Sequence, residues 1–180
     1  TISAQATVEM DLTGAHEAYV FHLDNVVPAN DGDRLELQVS VDAGVTFLSG
    51  ASDYRSQHKG AESEETLTAY QVAFTAGTEM VISRQAGAST TGVGNGTNES
   101  LSGFVTVHNA KQTVNDVLVT FEIVYLKGEA GFGPAQGKLN GHRGAGGLIA
   151  NLDEVDAVLF QFSTGNLSAG RISLYGVAAA

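Results

Sequence analysis

Cysteine and tryptophan are both missing from this 180-residue chain, and proline occurs only twice. Without cysteine there can be no disulfide framework, no thiolate zinc ribbon and no thiol nucleophile. A cysteine-free chain fits synthesis in a reducing cytoplasm. Without tryptophan, a stacking carbohydrate site loses its largest platform. Basic residues are scarce too: 9 Lys and Arg stand against 20 Asp and Glu, a formal charge of -11. Nucleic acid needs a cationic footprint for its phosphates, and anionic membranes ask for basic clusters. The sequence offers neither, so its acidity is read as solubility and mutual repulsion of free subunits. No stretch approaches the roughly 20 apolar residues of a membrane helix, and the N-terminus lacks a charged region followed by an apolar one. Thr1 reads as the residue exposed by removal of an initiator Met, which would make the chain nearly full length. An exported precursor stripped of its signal is the alternative.

What is present is strand periodicity. Ala6, Val8, Met10 and Leu12 alternate with polar residues, as do Leu35, Leu37, Val39 and Val41. Val117 to Leu126, Asp156 to Ser163 and Arg171 to Tyr175 are rich in β-branched and aromatic residues. Glu17 to Leu23, Thr66 to Phe74, Glu79 to Ser83 and Phe104 to His108 complete the expected strands. Helical signals reduce to short turns at Ser63 to Thr66 and Asn151 to Glu154. The 22 glycines, about 12% against a usual ~7%, concentrate between strands. Asn30 to Asp33 reads as a turn, Asp42-Ala43-Gly44 as a hairpin connection, and Gly92 to Gly96 and Gly128 to Gly147 as glycine-rich loops. Pro28 and Pro134 fall in connections, as a residue without an N–H requires. The expectation is one all-β domain over residues 1–180, an antiparallel β-sandwich of jelly-roll type with about nine or ten strands. A domain of this size buries roughly 70% of its unfolded surface, enough for a core without staples.

The residues that could carry chemistry do not assemble into a known device. His16, His22, His58, His108 and His142 include no pair at helical metal-site spacing. His16 and His22, on one strand face, would stand about 20 Å apart at ~3.3 Å per residue. Surface or interface packing is the reading they support. Asp31, Asp33 and Glu36 make too short a series for a calcium loop; aspartates bonding turn N–H groups is the expectation. Glu62, Glu64 and Glu65 read as the solvated face of a polar loop rather than as glycosidase carboxylates. Gly92-Val93-Gly94-Asn95-Gly96 leads into a strand instead of the helix N-terminus that a phosphate loop requires. Gly-x-Ser-x-Gly does not occur. Asp53-Tyr54-Arg55 is read as packing at a protein contact. Asn95, Asn98 and Asn166 head glycosylation-type triplets, which are frequent by chance. No catalytic, cofactor-binding or metal-binding residue is assigned, no cofactor is expected, and the binding surface is left open.

Two stretches carry a resemblance. Phe21-His22-Leu23-Asp24-Asn25-Val26-Val27-Pro28-Ala29 leads to Leu35 through Gly44, and Val158 through Leu167 leads to Gly170-Arg171-Ile172-Ser173-Leu174-Tyr175-Gly176-Val177. Together they resemble tailed-phage virion structural proteins of tail-fibre, minor-tail or head-decoration type, which have no known catalytic site. The match covers about a third of the chain and leaves Ala51 to Asn98 without a signature. It implies a jelly-roll sandwich on the virion, made in the host cytoplasm and commonly trimeric, with copies of itself and other virion proteins as partners. Gly165 and Gly170 would bracket the turn before the last strand, with Ile172 and Leu174 facing the core and Tyr175 at an edge that packs on a neighbour.

The first functional expectation is therefore a non-enzymatic tail-fibre or surface-appendage module acting in assembly or host attachment. A capsid decoration or head-fibre protein stabilising the shell is the second. A carbohydrate-binding adhesin module, whose partner would be a host surface glycan, is a third of a different class. A glycan-degrading enzyme is the fourth and the least supported.

Overall fold

The computed structural model describes residues 1–63, 68–83, 92–127, 138–149 and 153–178. Among them are eleven strands: β1 (Thr7–Asp11), β2 (Ala18–Pro28), β3 (Leu35–Ser40), β4 (Tyr54–Ser63), β5 (Thr68–Gly77), β6 (Met80–Val81), β7 (Leu101–His108), β8 (Leu118–Lys127), β9 (Lys138–Leu148), β10 (Ala157–Phe162) and β11 (Leu167–Val177). They form two sheets, β1-β10-β3-β6 and β11-β2-β7-β8-β9-β4-β5, and every pairing is antiparallel. The protein is all-β, as its period-two pattern requires.

The two sheets face each other across one apolar core. Tyr19, Phe21 and Leu23 of β2, Val105 and Val107 of β7, and Val119, Phe121, Ile123 and Tyr125 of β8 point inward. They meet Leu35, Leu37 and Val39 of β3 and Val158, Phe160 and Phe162 of β10. Phe21 and Phe160 touch edge to face across the gap, with ring centroids 5.2 Å apart. Tyr54 ties the sheets by hydrogen bonds: its hydroxyl accepts from Val39 N at 2.9 Å and donates to Leu48 O at 3.0 Å. Burial pushes the Tyr54 phenol well above its ordinary pKa, which keeps that hydroxyl neutral.

The sheets are unequal in width. The isolated bridge Gln5↔Leu167 places the start of the small sheet by β11, while Met80 and Ile82 reach β9. β4 and β5 therefore form the far margin of the wide sheet.

Several expectations change. The stretch read as a loop from Gly128 to Gly147 contains strand β9, and the unassigned stretch after Asp53 is β4. Asp42-Ala43-Gly44 is a turn with Ala43 and Gly44 at positive φ, but it leads from one sheet to the other instead of closing a hairpin. Gly165 (φ +74°) does form the turn before β11. Gly170 lies inside that strand, at a bulge with φ +114° where a Cβ would sit 2.5 Å from Asn25 O. Ile172 and Leu174 pack against the core and Tyr175 is exposed, as the alternation of β11 demands. Ser63 ends β4, whereas 64–67 and 151–152, where short turns were expected, lie outside the described residues. Pro28 ends β2 instead of lying in a connection, and Pro134 falls outside the described residues.

Candidate functional site

Two places gather polar side chains. The first is buried on the inner face of β5, β4, β9 and β8. Register aligns Tyr70, Gly60, His142 and Ile123 across these four strands, and His58, Gly144 and Phe121 two residues along on the same face. His142 Nε2 lies 2.7 Å from Ile82 O, and its Nδ1 lies 2.7 Å from the Tyr70 hydroxyl. A carbonyl can only accept, so Nε2 carries the proton and Nδ1 accepts from Tyr70. The His58 ring lies 4.9 Å from that of His142, and Phe121, Tyr125 and Tyr70 surround it. Burial holds the His142 pKa down to about 4, pushes Tyr70 up to about 12 and raises Tyr125 well above the usual phenol range. Only 4% of His142 is exposed. The cluster works as a neutral latch, joining β9 to β5 and to the segment after β6.

Glycine makes room for this packing. A Cβ on Gly60 would lie 2.3 Å from His142 Cβ, and one on Gly144 would lie 2.3 Å from Phe121 Cζ and 2.5 Å from Gln57 O.

The second place is the outer face of the same sheet. One row of side chains runs unbroken through the ladder: Gln71, Lys59, Arg143, Glu122, Phe104, His22 and Ser173. Phe104 is half exposed, and its ring stacks on His22 with centroids 4.8 Å apart and planes 17° apart. Arg143 Nη2 lies 3.7 Å from Glu122 Oε1, both side chains being largely exposed. Two adjoining depressions of about 660 and 1260 Å³ open along this row. On β11 Val177 and Tyr175 are exposed, and Leu118 of β8 is exposed in the same row as Val177, three strands inward.

The residues singled out by sequence scatter over the fold. His16 stands edge-on to Tyr19, His22 stacks on Phe104 and His108 bonds Thr120 Oγ1 at 3.0 Å. His58 and His142 alone come together, through adjacent strands. Among the described residues no three of His, Asp and Glu group to hold a metal ion. Asp33 does not bond turn N–H groups as expected; it is buried and accepts from the hydroxyls of Ser163 (3.2 Å) and Thr164 (2.6 Å). Glu36 is also buried and is bonded by Arg34 Nε; desolvation raises its pKa despite that cation. Glu62 is not solvated but buried in β4, whereas Glu64 and Glu65 lie outside the described residues. In Asp53-Tyr54-Arg55, Tyr54 belongs to the core, Asp53 accepts from Gly50 N at 2.6 Å and Arg55 is exposed on the outer face. Gly92 to Gly96 is a loop pinned by Val93 to Asp33, with Asn95 donating to Ala29 O at 2.8 Å. Asn166 donates to Ala4 O at 3.4 Å.

The His58–His142 contact and the Lys59–Arg143 row escape sequence reasoning because both depend on register between segments about 80 residues apart. Strand periodicity in β9 would have exposed them, but apolar alternation there is too weak. Comparison with protein-family models, curated proteins and solved structures finds no match to this chain.

Proposed function

We propose that the chain is a non-enzymatic structural module of a tailed-phage virion, a surface appendage of the tail that acts by packing against copies of itself as a homotrimer. One observation carries the self-association: the exposed apolar corner at the β11 edge. On β11 Tyr175 is 57% exposed and Val177 44%, and Leu118, three strands inward on β8, is 50% exposed. Register connects Leu118, His108, Ala18 and Val177 in one row, and Thr106, Val20 and Tyr175 in the next.

Edge strands usually protect themselves with charge, proline or irregularity. The bulge at Gly170 protects the first half of β11. Ile172 to Val177 is regular and contains no charged residue. In a chain of net charge -11, copies meet with least repulsion on such a charge-free patch. A ring of three needs a heterologous contact, with this corner on one subunit meeting a different patch on the next. The virion assignment rests on the resemblance of β2, β3, β10 and β11 to tailed-phage structural proteins.

Light scattering on the purified chain at micromolar concentration tests the association. The expected mass is three times the 18.6 kDa chain, falling to the single chain in Tyr175→Glu with an unchanged circular dichroism spectrum. A monomeric wild type, or a trimer indifferent to Tyr175→Glu, would overturn it.

A further inference from the structure

We infer that the outer face of the seven-stranded sheet carries a binding row for an acidic saccharide chain, centred on Lys59 and Arg143 and ending on the Phe104 ring. The cation pair on β4 and β9 lies four and more strands from β11, although Phe104 adjoins the row that holds Tyr175, and the site is complete within one subunit, so it does not depend on self-association.

The charge pattern is the first argument. Lys59 and Arg143 face each other directly across β4 and β9. Like charges opposed in this way weaken a sheet. Glu122 approaches Arg143 only to 3.7 Å and both stand in solvent, where such a pair contributes little. Of the nine Lys and Arg in the chain, Arg55, Lys59, Arg143 and Arg171 project from the described strands of this face. A chain of charge -11 thus places four of its nine cations on one surface and opposes two of them, while Arg171 is paired with Asp24 at 2.9 Å. An anion bound between Lys59 and Arg143 relieves that repulsion.

Shape and neighbouring chemistry identify the anion. Ala61, Ala69, Gly141 and Ala145 flank the row and keep the floor low, which produces the depressions. Phe104 offers a ring face held in place by His22, two strand spacings from Arg143, or about 10 Å. An aromatic face suits the C–H side of a sugar ring, and Gln71 beside Lys59 can donate to or accept from hydroxyls. An extended peptide gains most of its affinity from a free strand edge, and here the backbone groups are already used in the ladder. Nucleic acid needs far more neutralised phosphates than two cations supply. A polysaccharide bearing carboxylates matches both the cation pair and the ring.

The test is affinity electrophoresis of the intact chain in gels containing polygalacturonate, with dextran as the neutral polymer and poly-L-glutamate as the charged non-sugar. Retardation by polygalacturonate alone is expected. Lys59→Gln/Arg143→Gln and Phe104→Ala should each weaken it at least tenfold while keeping the wild-type melting curve. Arg171→Gln, which removes a cation four strands from Arg143, should not. Absence of retardation by polygalacturonate, equal retardation by poly-L-glutamate or dextran, full retention in the double variant, or an equal loss in Arg171→Gln would each overturn the assignment. If the double variant unfolds, Lys59→Glu and Arg143→Glu tested singly replace it, with the same loss expected and its absence equally decisive.

Discussion

Acidification should loosen this fold through one buried imidazole. His142 is neutral in the folded chain because burial outweighs the hydrogen bond from its Nε2 to Ile82 O, and its pKa falls from an ordinary 6.5 to about 4. In the unfolded chain the ring titrates normally. Above pH 6.5 neither state binds the proton and stability is complete. Between 6.5 and 4 the unfolded chain takes up a proton that the folded chain refuses, so stability falls with pH. Below 4 both states are protonated and the loss is complete, at about 3 kcal/mol for a displacement of this size at ~1.4 kcal/mol per pH unit. Protonation also puts a donor at Nδ1, opposite the Tyr70 hydroxyl that had been donating to it. Glu36 works in the opposite direction, because its raised folded pKa favours the native state as acid is added. Asp42, held down to about 2 by Ser40 and Thr46, is lost only below about pH 3.8. The imidazole is therefore isolated by difference. Urea unfolding followed by circular dichroism at pH 7, 6, 5 and 4 should give a wild-type profile that drops about 3 kcal/mol more than that of His142→Gln, whose amide keeps a donor and an acceptor but does not titrate. Parallel profiles for the two proteins would refute the argument.

Tyr54→Phe should destabilise the chain by about 1–3 kcal/mol in the same assay, because Val39 N is left buried without its acceptor. Gly144→Ala should cost about 1–3 kcal/mol or more, since its methyl must displace both the Phe121 ring and the β4 backbone; a neutral result would mean that the sheet yields there easily. Phe160→Ala, removing the ring that meets Phe21 across the core, should lower stability by about 3–5 kcal/mol.

The apolar half of the fold was readable from the sequence. In β1, β3, β8 and β10 the inward positions are Val, Leu, Ile, Met, Phe and Tyr, so alternation in hydropathy marks the strand and its buried face together. β4 and β9 follow the same alternation in space but not in chemistry. Their inward positions are Ser56, His58, Gly60 and Glu62, and Asn140, His142, Gly144 and Gly146. Polar rings and glycines fill that layer because Tyr70, Tyr125 and Phe121 supply the bulk from neighbouring strands. A reading tuned to apolar residues saw loop and solvated charge instead. Asp33 was misread for a related reason: its hydroxyl partners at Ser163 and Thr164 lie some 130 residues further along the chain. The outer row was invisible because no local pattern announces which residues of seven strands stand abreast.

The unequal width of the sheets bears on how the molecule opens. Within the described residues β5 is laddered only to β4, and the smaller sheet meets β4 through the Tyr54–Val39 hydrogen bond without being laddered to either strand. Thermal fluctuations should therefore release the molecule in sequence from one side, because cooperative units with fewest packed neighbours open at the lowest free energy. Amide hydrogens of β5 should exchange with solvent first, those of β4 next, and those of β2, β7 and β8 only on global unfolding. Since Lys59 sits on β4, one end of the cationic row reaches the part of the sandwich that yields most readily, and a chain bound from Lys59 across to Phe104 would slow exchange in β4.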